Sequence, residues 1–147
     1  MISRLARIAL ANICAICVAV ECCRGNGFQL DAVQVSTSRV TAQLNELSKF
    51  NDADLPAVTR VLFSHRDVEA RAYLRQLIAD AGLQFREDAV GNIFARLQGS
   101  NRSGLSETGA VGTGSHYDAI PESGKYDGTV GVLVGLEAVR ALRDAGF

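Results

Sequence analysis

The chain has no surplus of charge of either sign. Fifteen Lys and Arg face sixteen Asp and Glu, a formal net charge of −1 over 147 residues. No basic run is interleaved with aromatics, so nucleic acid is not expected as a partner. Low-complexity tracts and internal repeats are also absent, which sets aside linkers and solenoids. The N-terminal apolar run, IALANICAICVAV, is thirteen residues broken by Asn12. A helix that spans a bilayer needs roughly 20, so no stable membrane span is expected. Cys14 and Cys17 form a C-x-x-C with no second pair to complete a zinc site. Only two histidines occur, His65 and His116, and no two glutamates are adjacent. What is present, 48% apolar and 21% charged residues, has the length and balance of one soluble globular domain.

The N-terminus is a different kind of sequence. MISRLAR carries two arginines and no acid, and the apolar run follows directly. A basic start before a short apolar core is the layout of a secretory signal, and Cys17 and Ala19 place small residues suitably for cleavage after Ala19. The competing readings are a buried helix of the domain and a mitochondrial presequence, although the latter wants more serine and an amphipathic stretch. Glu21 before Cys22 argues against a lipoprotein box. Cys22 and Cys23 are adjacent, which disfavours a bond between them, and leaves them free or paired outside the chain. The triplet Asn101-Arg102-Ser103 is compatible with passage through the secretory pathway, and specifically the endoplasmic reticulum.

Further along, Val40, Leu44 and Leu47 recur at helical spacing, with Pro56 expected to end that helix. Ser64 reads as the cap of a second helix, with Asp67 as a capping-box partner and Gly82 as its stop. LQFR and NIFARLQ read as strands around a turn at Glu87–Gly91, and GSNRSGLSETG reads as a loop. AVGTGS reads as a buried strand. TVGVLVGLEAVRALRDAGF reads as a helix buried through its first half, with Glu137, Arg140 and Asp144 on a later solvent face. Gly146 and Phe147 should close it against Leu142. These elements make an α/β layout with helices on the faces of a sheet.

The chemistry-bearing stretch is GSHYDAIPESGKYDG, residues 114–128. His116 stands at the carboxyl end of a strand, the edge at which open α/β sheets bind ligands. His116 and Asp118 are two apart and so share a side in extended chain. The carboxylate can then accept from one imidazole nitrogen while the other faces a metal. Asp127 falls just before Gly128 and the helix, where it can cap or reach the site. An H-x-D alone is a weak signal, and an Asp before Gly at a helix start is usually a cap. The combination with a short glycine loop and a deeply apolar helix is stronger.

The segment VGTGSHYDAIPESGKYDGTVGVLVGLEAVRALRDAGF resembles the first metal-binding segment of the di-metal amidohydrolases related to aminoacylases and carboxypeptidase-like exopeptidases. Within them it is similar to the branch acting on ureido and amidine substrates. That branch holds allantoate amidohydrolase, N-carbamoyl-amino-acid hydrolase and ureidoglycolate amidohydrolase. The runs AVTRVLFSHRDVEARAYLRQLIADAGLQFREDAVGNIFARL and DAIPESGKYDG look most like the plant-type ureidoglycolate members. The resemblance covers about residues 38 to 147. It implies a partial zinc-exopeptidase-like α/β catalytic domain, with helices packed on a mostly parallel sheet. Residues 1–28 would be signal and leader, and 29–147 the N-terminal part of the catalytic domain.

Position by position, the resemblance implies that His116 ligates one metal and that Asp127 bridges two divalent ions. These would be manganese in this branch, with zinc the alternative. Asp118 would act in catalysis by orienting His116. The metals would activate water for attack on a ureido or amide carbon; from ureidoglycolate the products would be glyoxylate, ammonia and carbon dioxide. His65 matches no ligand position and reads as a surface histidine, while Tyr117, Glu122 and Lys125 do no more than shape the loop. Family members continue for a few hundred residues that supply an adjacent Glu-Glu pair, two further histidines and a lid and dimerisation domain. The expectation is therefore an N-terminal fragment, inactive alone, of an enzyme that is a homodimer at full length. Two alternatives stand beside it: an allantoate or N-carbamoyl-amino-acid substrate, and a non-catalytic product that only associates with a partner subunit.

Overall fold

The computed structural model describes residues 33–98 and 110–146, together with the backbone of Ala15–Glu21. The element order is β1 (Ala15–Glu21), α1 (Thr37–Leu47), β2 (Val58–Arg60), α2 (His65–Asp80), β3 (Gln84–Glu87), β4 (Ile93–Leu97), β5 (Ala110–His116), β6 (Ala119–Ser123) and α3 (Thr129–Asp144). Four strands form a sheet in the order β3-β4-β1-β5, and β2 and β6 form a separate two-stranded ribbon. The α/β class expected from the sequence is the one observed. The sheet, however, is mixed and not mostly parallel: β1 runs parallel to β4, while β1–β5 and β3–β4 are antiparallel.

Local chemistry explains where the helices begin and end. Ser36 caps α1 by accepting from Arg39 N at 3.2 Å, and Ser64 caps α2 by accepting from Asp67 N at 3.2 Å. The capping-box expectation shifts by one residue, because Asp67 Oδ2 takes the N–H of Phe63 at 2.9 Å, not that of Ser64. Gly82, at φ 65°, ends α2. Its N–H reaches Ala79 O at 2.8 Å and that of Leu83 reaches Ile78 O at 3.1 Å, the paired bonds of a Schellman stop. Pro56 does not end α1. That helix stops at Leu47, where the Ser48 hydroxyl donates back to Asn45 O at 2.7 Å.

One core joins the three helices to the sheet. Leu44 and Leu47 of α1, Leu74 and Ile78 of α2, and Leu133, Leu136 and Val139 of α3 meet Ile93 and Ala95 from one face of β4. Full burial of side chains of this size is worth about 1.5–3 kcal/mol each. Three expectations about burial are corrected. The described β5 is largely exposed because it lies at the edge of the sheet. Val130 and Val134 of α3 are exposed. Glu137 and Arg140, expected on a solvent face, are buried. Their burial is tolerable because they are paired: Arg39 Nε and Nη2 bind the Glu137 carboxylate at 2.8 and 2.7 Å, and Ser36 N donates to it at 2.7 Å. Arg140 Nη2 donates to Leu77 O at 2.9 Å.

The signal and leader expected from the sequence occupy residues 1–28. Ala15–Glu21 of that segment forms β1, with Ala15 opposite His116 and Ile16 opposite Ile93; the other residues of the segment, Cys14, Cys22 and Cys23 among them, lie outside the described residues. So do the triplet Asn101–Ser103 and Phe147, and with the latter its expected contact to Leu142. Among the described residues no helix is long and apolar enough to cross a membrane.

Candidate metal centre

β5 delivers His116 at its last residue. The chain then turns, and alternation sends three neighbours in two directions. His116 and Asp118 remain about one-third exposed, whereas Tyr117 between them is fully buried in the core. Tyr117, expected only to shape the loop, anchors the turn from below. His116 Nδ1 lies 3.1 Å from Asp118 Oδ1 and 3.3 Å from the Asp118 carbonyl oxygen. With the proton on Nδ1, this contact leaves the Nε2 lone pair free to face a ligand.

α3 brings Asp127 to the same place. Its first residues are wound tightly: Thr129 N donates to Asp127 O at 2.7 Å, and the Thr129 hydroxyl donates to Lys125 O at 2.5 Å. The position before the helix is held by Gly128, at φ 67°, with no side-chain cap. Asp127 is thus not the capping residue, and its carboxylate, 76% exposed, is left for other work. Two glycines permit the close approach. A Cβ on Gly128 would stand 2.4 Å from His116 Cε1, and one on Gly131 would stand 2.7 Å from Ser115 Cβ. Distances this short are forbidden to any side chain larger than hydrogen.

The result is a pair, His116 Nε2 and Asp127 Oδ2, 3.8 Å apart. That is too long for a hydrogen bond. It is a suitable gap for one divalent ion, because two bonds of about 2.1 Å span up to about 4.2 Å. The residues therefore fit a metal as a partial ligand set. Among the described residues no group of three or more His, Cys, Asp or Glu converges, so the described arrangement is these two side chains with Asp118 behind His116. Between them stand Glu122, in β6, and Lys125, on the loop after it. Lys125 Nζ donates to Asn45 Oδ1 at 3.0 Å, and Glu122, at φ 56°, donates its N–H to Thr59 Oγ1 at 2.9 Å. His65 is on the surface of α2, 3.5 Å from Glu69.

Below the turn lies a buried polar group that the sequence reading missed. Arg60, on β2, is almost wholly buried. Its Nε and Nη2 both donate to the Tyr117 carbonyl, at 2.9 and 2.6 Å, and Nη1 donates to Leu47 O and Phe50 O, each at 3.0 Å. Burial lowers its pKa, with Tyr117, Asp67 and Asp118 pulling the other way. An arginine in a short strand such as VTR looks like a surface residue; no sequence pattern separates it from one.

No protein-family model matches the chain. Sequence comparison finds similarity to ureidoglycolate hydrolases. Identity is 55% over 113 residues with that of Oryza sativa subsp. japonica, covering 77% of this chain and 22% of the relative. It is 51% over 116 residues with that of Arabidopsis thaliana, covering 79% and 24%. An N-carbamoyl-L-amino-acid amidohydrolase of Paenarthrobacter aurescens is 36% identical over 114 residues, covering 78% and 26%. The fold matches crystal structures of a protein called AtUAH, in complex with glyoxylate and with (S)-hydroxyglycine. In both, the TM-score is 0.69 at 49% identity, covering 80% of this chain and 27% of that one. The chain thus spans about a quarter of the length of the relatives it matches. The sequence resemblance, and the α/β class it implied, hold in these comparisons.

Proposed function

We propose that this chain, kin to the ureidoglycolate hydrolases within the wider group of allantoate and N-carbamoyl-amino-acid amidohydrolases, carries part of the metal centre of an enzyme that hydrolyses ureidoglycolate. The observation that supports this most directly is the pair His116 Nε2 and Asp127 Oδ2 at 3.8 Å, with Asp118 behind the imidazole. His116 and Asp127 would hold divalent metal, two ions with Asp127 as the bridge, manganese before zinc. The metal would supply a water acidic enough to be deprotonated near neutral pH and polarise the substrate carbonyl. Asp118 would accept a hydrogen bond from the Nδ1–H of His116, fixing the tautomer that presents Nε2. Gly128 and Gly131 would hold the helix start against β5, so that Asp127 stays within reach of His116. The substrate is a small ureido compound whose C–N bonds are cleaved with uptake of one water, ureidoglycolate giving glyoxylate, two molecules of ammonia and carbon dioxide.

Identity favours ureidoglycolate over the neighbouring substrates: 55% and 51% with the ureidoglycolate hydrolases, against 36% with the N-carbamoyl enzyme and 32% with an allantoate amidohydrolase of Bacillus subtilis. The same reading includes a homodimeric enzyme and, from MISRLAR and the apolar run after it, entry to the endoplasmic reticulum.

The test uses protein isolated from its natural source and supplied with Mn2+. Release of glyoxylate from ureidoglycolate, faster than any hydrolysis of allantoate or an N-carbamoyl amino acid, is the expected result. Hydrolysis of one of the latter alone would move the substrate assignment. No hydrolysis of any of them would leave the non-catalytic, partner-binding reading.

A further inference from the structure

We propose that Arg60 is a positioning residue of the metal centre, setting the orientation of His116 through the backbone of Tyr117. The inference rests on the metal reading above and names a residue that reading does not use. The peptide oxygen of Tyr117 lies midway between the residue that would ligate metal and the residue that orients it. Two N–H groups of one guanidinium converge on that oxygen, at 2.9 and 2.6 Å. A carbonyl held by two donors of a rigid planar fork cannot rotate without breaking both bonds. Rotation of that peptide would swing Asp118 away from His116 Nδ1, where the present separation is 3.1 Å.

The other half of the guanidinium is tied to the end of α1. Nη1 takes the carbonyls of Leu47 and Phe50, both at 3.0 Å. Carbonyls at a helix end have no partner within the helix, so they are ready acceptors. β2 supplies the third anchor, because Arg60 is paired with Ala119, the residue after Asp118. Tyr117, Asp67 and Asp118 oppose the effect of burial on Arg60; the wholly buried Asp67 is paired with Arg71, whose guanidinium lies 5.9 Å from the Tyr117 ring. A solid scaffold of α1, β2 and α2 thus grips the Tyr117–Asp118 peptide, one of the two peptide units between His116 and Asp118.

Lysine cannot reproduce this grip. It keeps the charge but offers a single nitrogen where four bonds now run from three. Arg140 provides a matched control: it is also a buried arginine bound to a backbone carbonyl, Leu77 O at 2.9 Å, and it makes no bond to residues 116–118.

The experiment titrates the whole chain, labelled at histidine, with Mn2+ and follows paramagnetic broadening of the ring signals. His65, the only other histidine, is the internal reference. The unsubstituted chain should broaden first at His116. Arg60→Lys and Arg60→Met should each need about tenfold more Mn2+ for the same broadening, the usual scale for losing support behind a ligand. Arg140→Met, at a comparable loss of melting temperature, should need no more than the unsubstituted chain. Equal midpoints for the Arg60 variants and the unsubstituted chain, or an equal shift in Arg140→Met, would overturn the positioning role and leave the metal reading intact. No broadening at His116 in the unsubstituted chain would sink the metal reading and the positioning role together. If neither Arg60 variant folds, the unsubstituted chain decides. A slowly exchanging Arg60 Nε–H with scalar coupling to the Tyr117 carbonyl carbon supports the proposal, and a freely exchanging one overturns it.

Discussion

The imidazole of His116 rests directly on the Cα of Gly128, so closely that a Cβ there would lie 2.4–2.5 Å from three ring atoms. Gly128 also has φ 67°. Two independent requirements, space and backbone conformation, thus fall on one residue, and alanine meets neither. Gly128→Ala should destabilise the chain by about 1–3 kcal/mol and push the His116 ring away from Asp127. Chemical denaturation measures the first effect. Loss of Mn2+ broadening at His116, with His65 unchanged, measures the second. A variant with native Mn2+ response would show that the ring does not need this seat.

Asp118→Asn tests the support behind the ligand. Asparagine can still accept a hydrogen bond but brings no charge, so the Nδ1 proton is held less firmly. The expected result is a 10- to 100-fold weaker Mn2+ response at His116, with a melting temperature close to that of the unsubstituted chain, because Asp118 is about one-third exposed. A large loss of stability with unchanged metal response would make Asp118 a structural residue.

Glu137 gives a pH dependence whose sign can be worked out. Burial acts to raise its pKa, but the Arg39 hydrogen bonds, the Ser36 N–H and the charges of Arg39 and Arg140 outweigh it, so the pKa is lowered. With a folded pKa below the unfolded one, its contribution to stability is present above about pH 4.3. It is lost as pH falls through the lower, folded value. Glu137→Gln should therefore be less stable at pH 7, and should lose less than the unsubstituted chain as the pH drops from 5 to 3. Parallel stability curves for the two chains across that range would contradict the assignment.

These residues also show where sequence reasoning stops. The α2 start was legible because Ser64 caps it through a local bond. The H-x-D geometry was legible because alternation in extended chain is local as well. Glu137 and Arg140 were misread because helical periodicity separates polar from apolar faces, and cannot see that Arg39, nearly a hundred positions earlier, will neutralise a buried carboxylate. Arg60 was invisible for the same reason: its partners, Leu47, Phe50 and Tyr117, are 10 to 57 positions away. Short strands such as β2 carry too few residues to show a period at all.

The core offers a plainer prediction. Leu133 is fully buried among Leu74, Ile78, Ile93 and Leu136. Leu133→Ala should cost about 2–5 kcal/mol, the transfer term plus the cavity left behind. Val134→Ala, on the exposed face of the same helix, should cost well under half as much. Comparable losses by urea denaturation would mean that Val134 is covered in solution.

The N-terminal prediction turns on one segment that suits two uses. AICVAVE is apolar and partly β-branched, which serves the core of a secretory signal and a strand flanked on both sides equally well. Cleavage after Ala19 would remove five of the seven residues of β1, Ala15 to Ala19. The strands β4 and β5 would then lose the neighbour whose backbone each now meets. The two uses therefore exclude each other in one molecule. On the proposed secretory reading, protein recovered from the endoplasmic reticulum begins at Val20, and the amides of β4 and β5 exchange faster than in the uncleaved chain. Protein that begins at Met1, with the amides of Ile16 to Val20 protected from exchange, would instead make β1 a permanent part of the sheet and withdraw the signal.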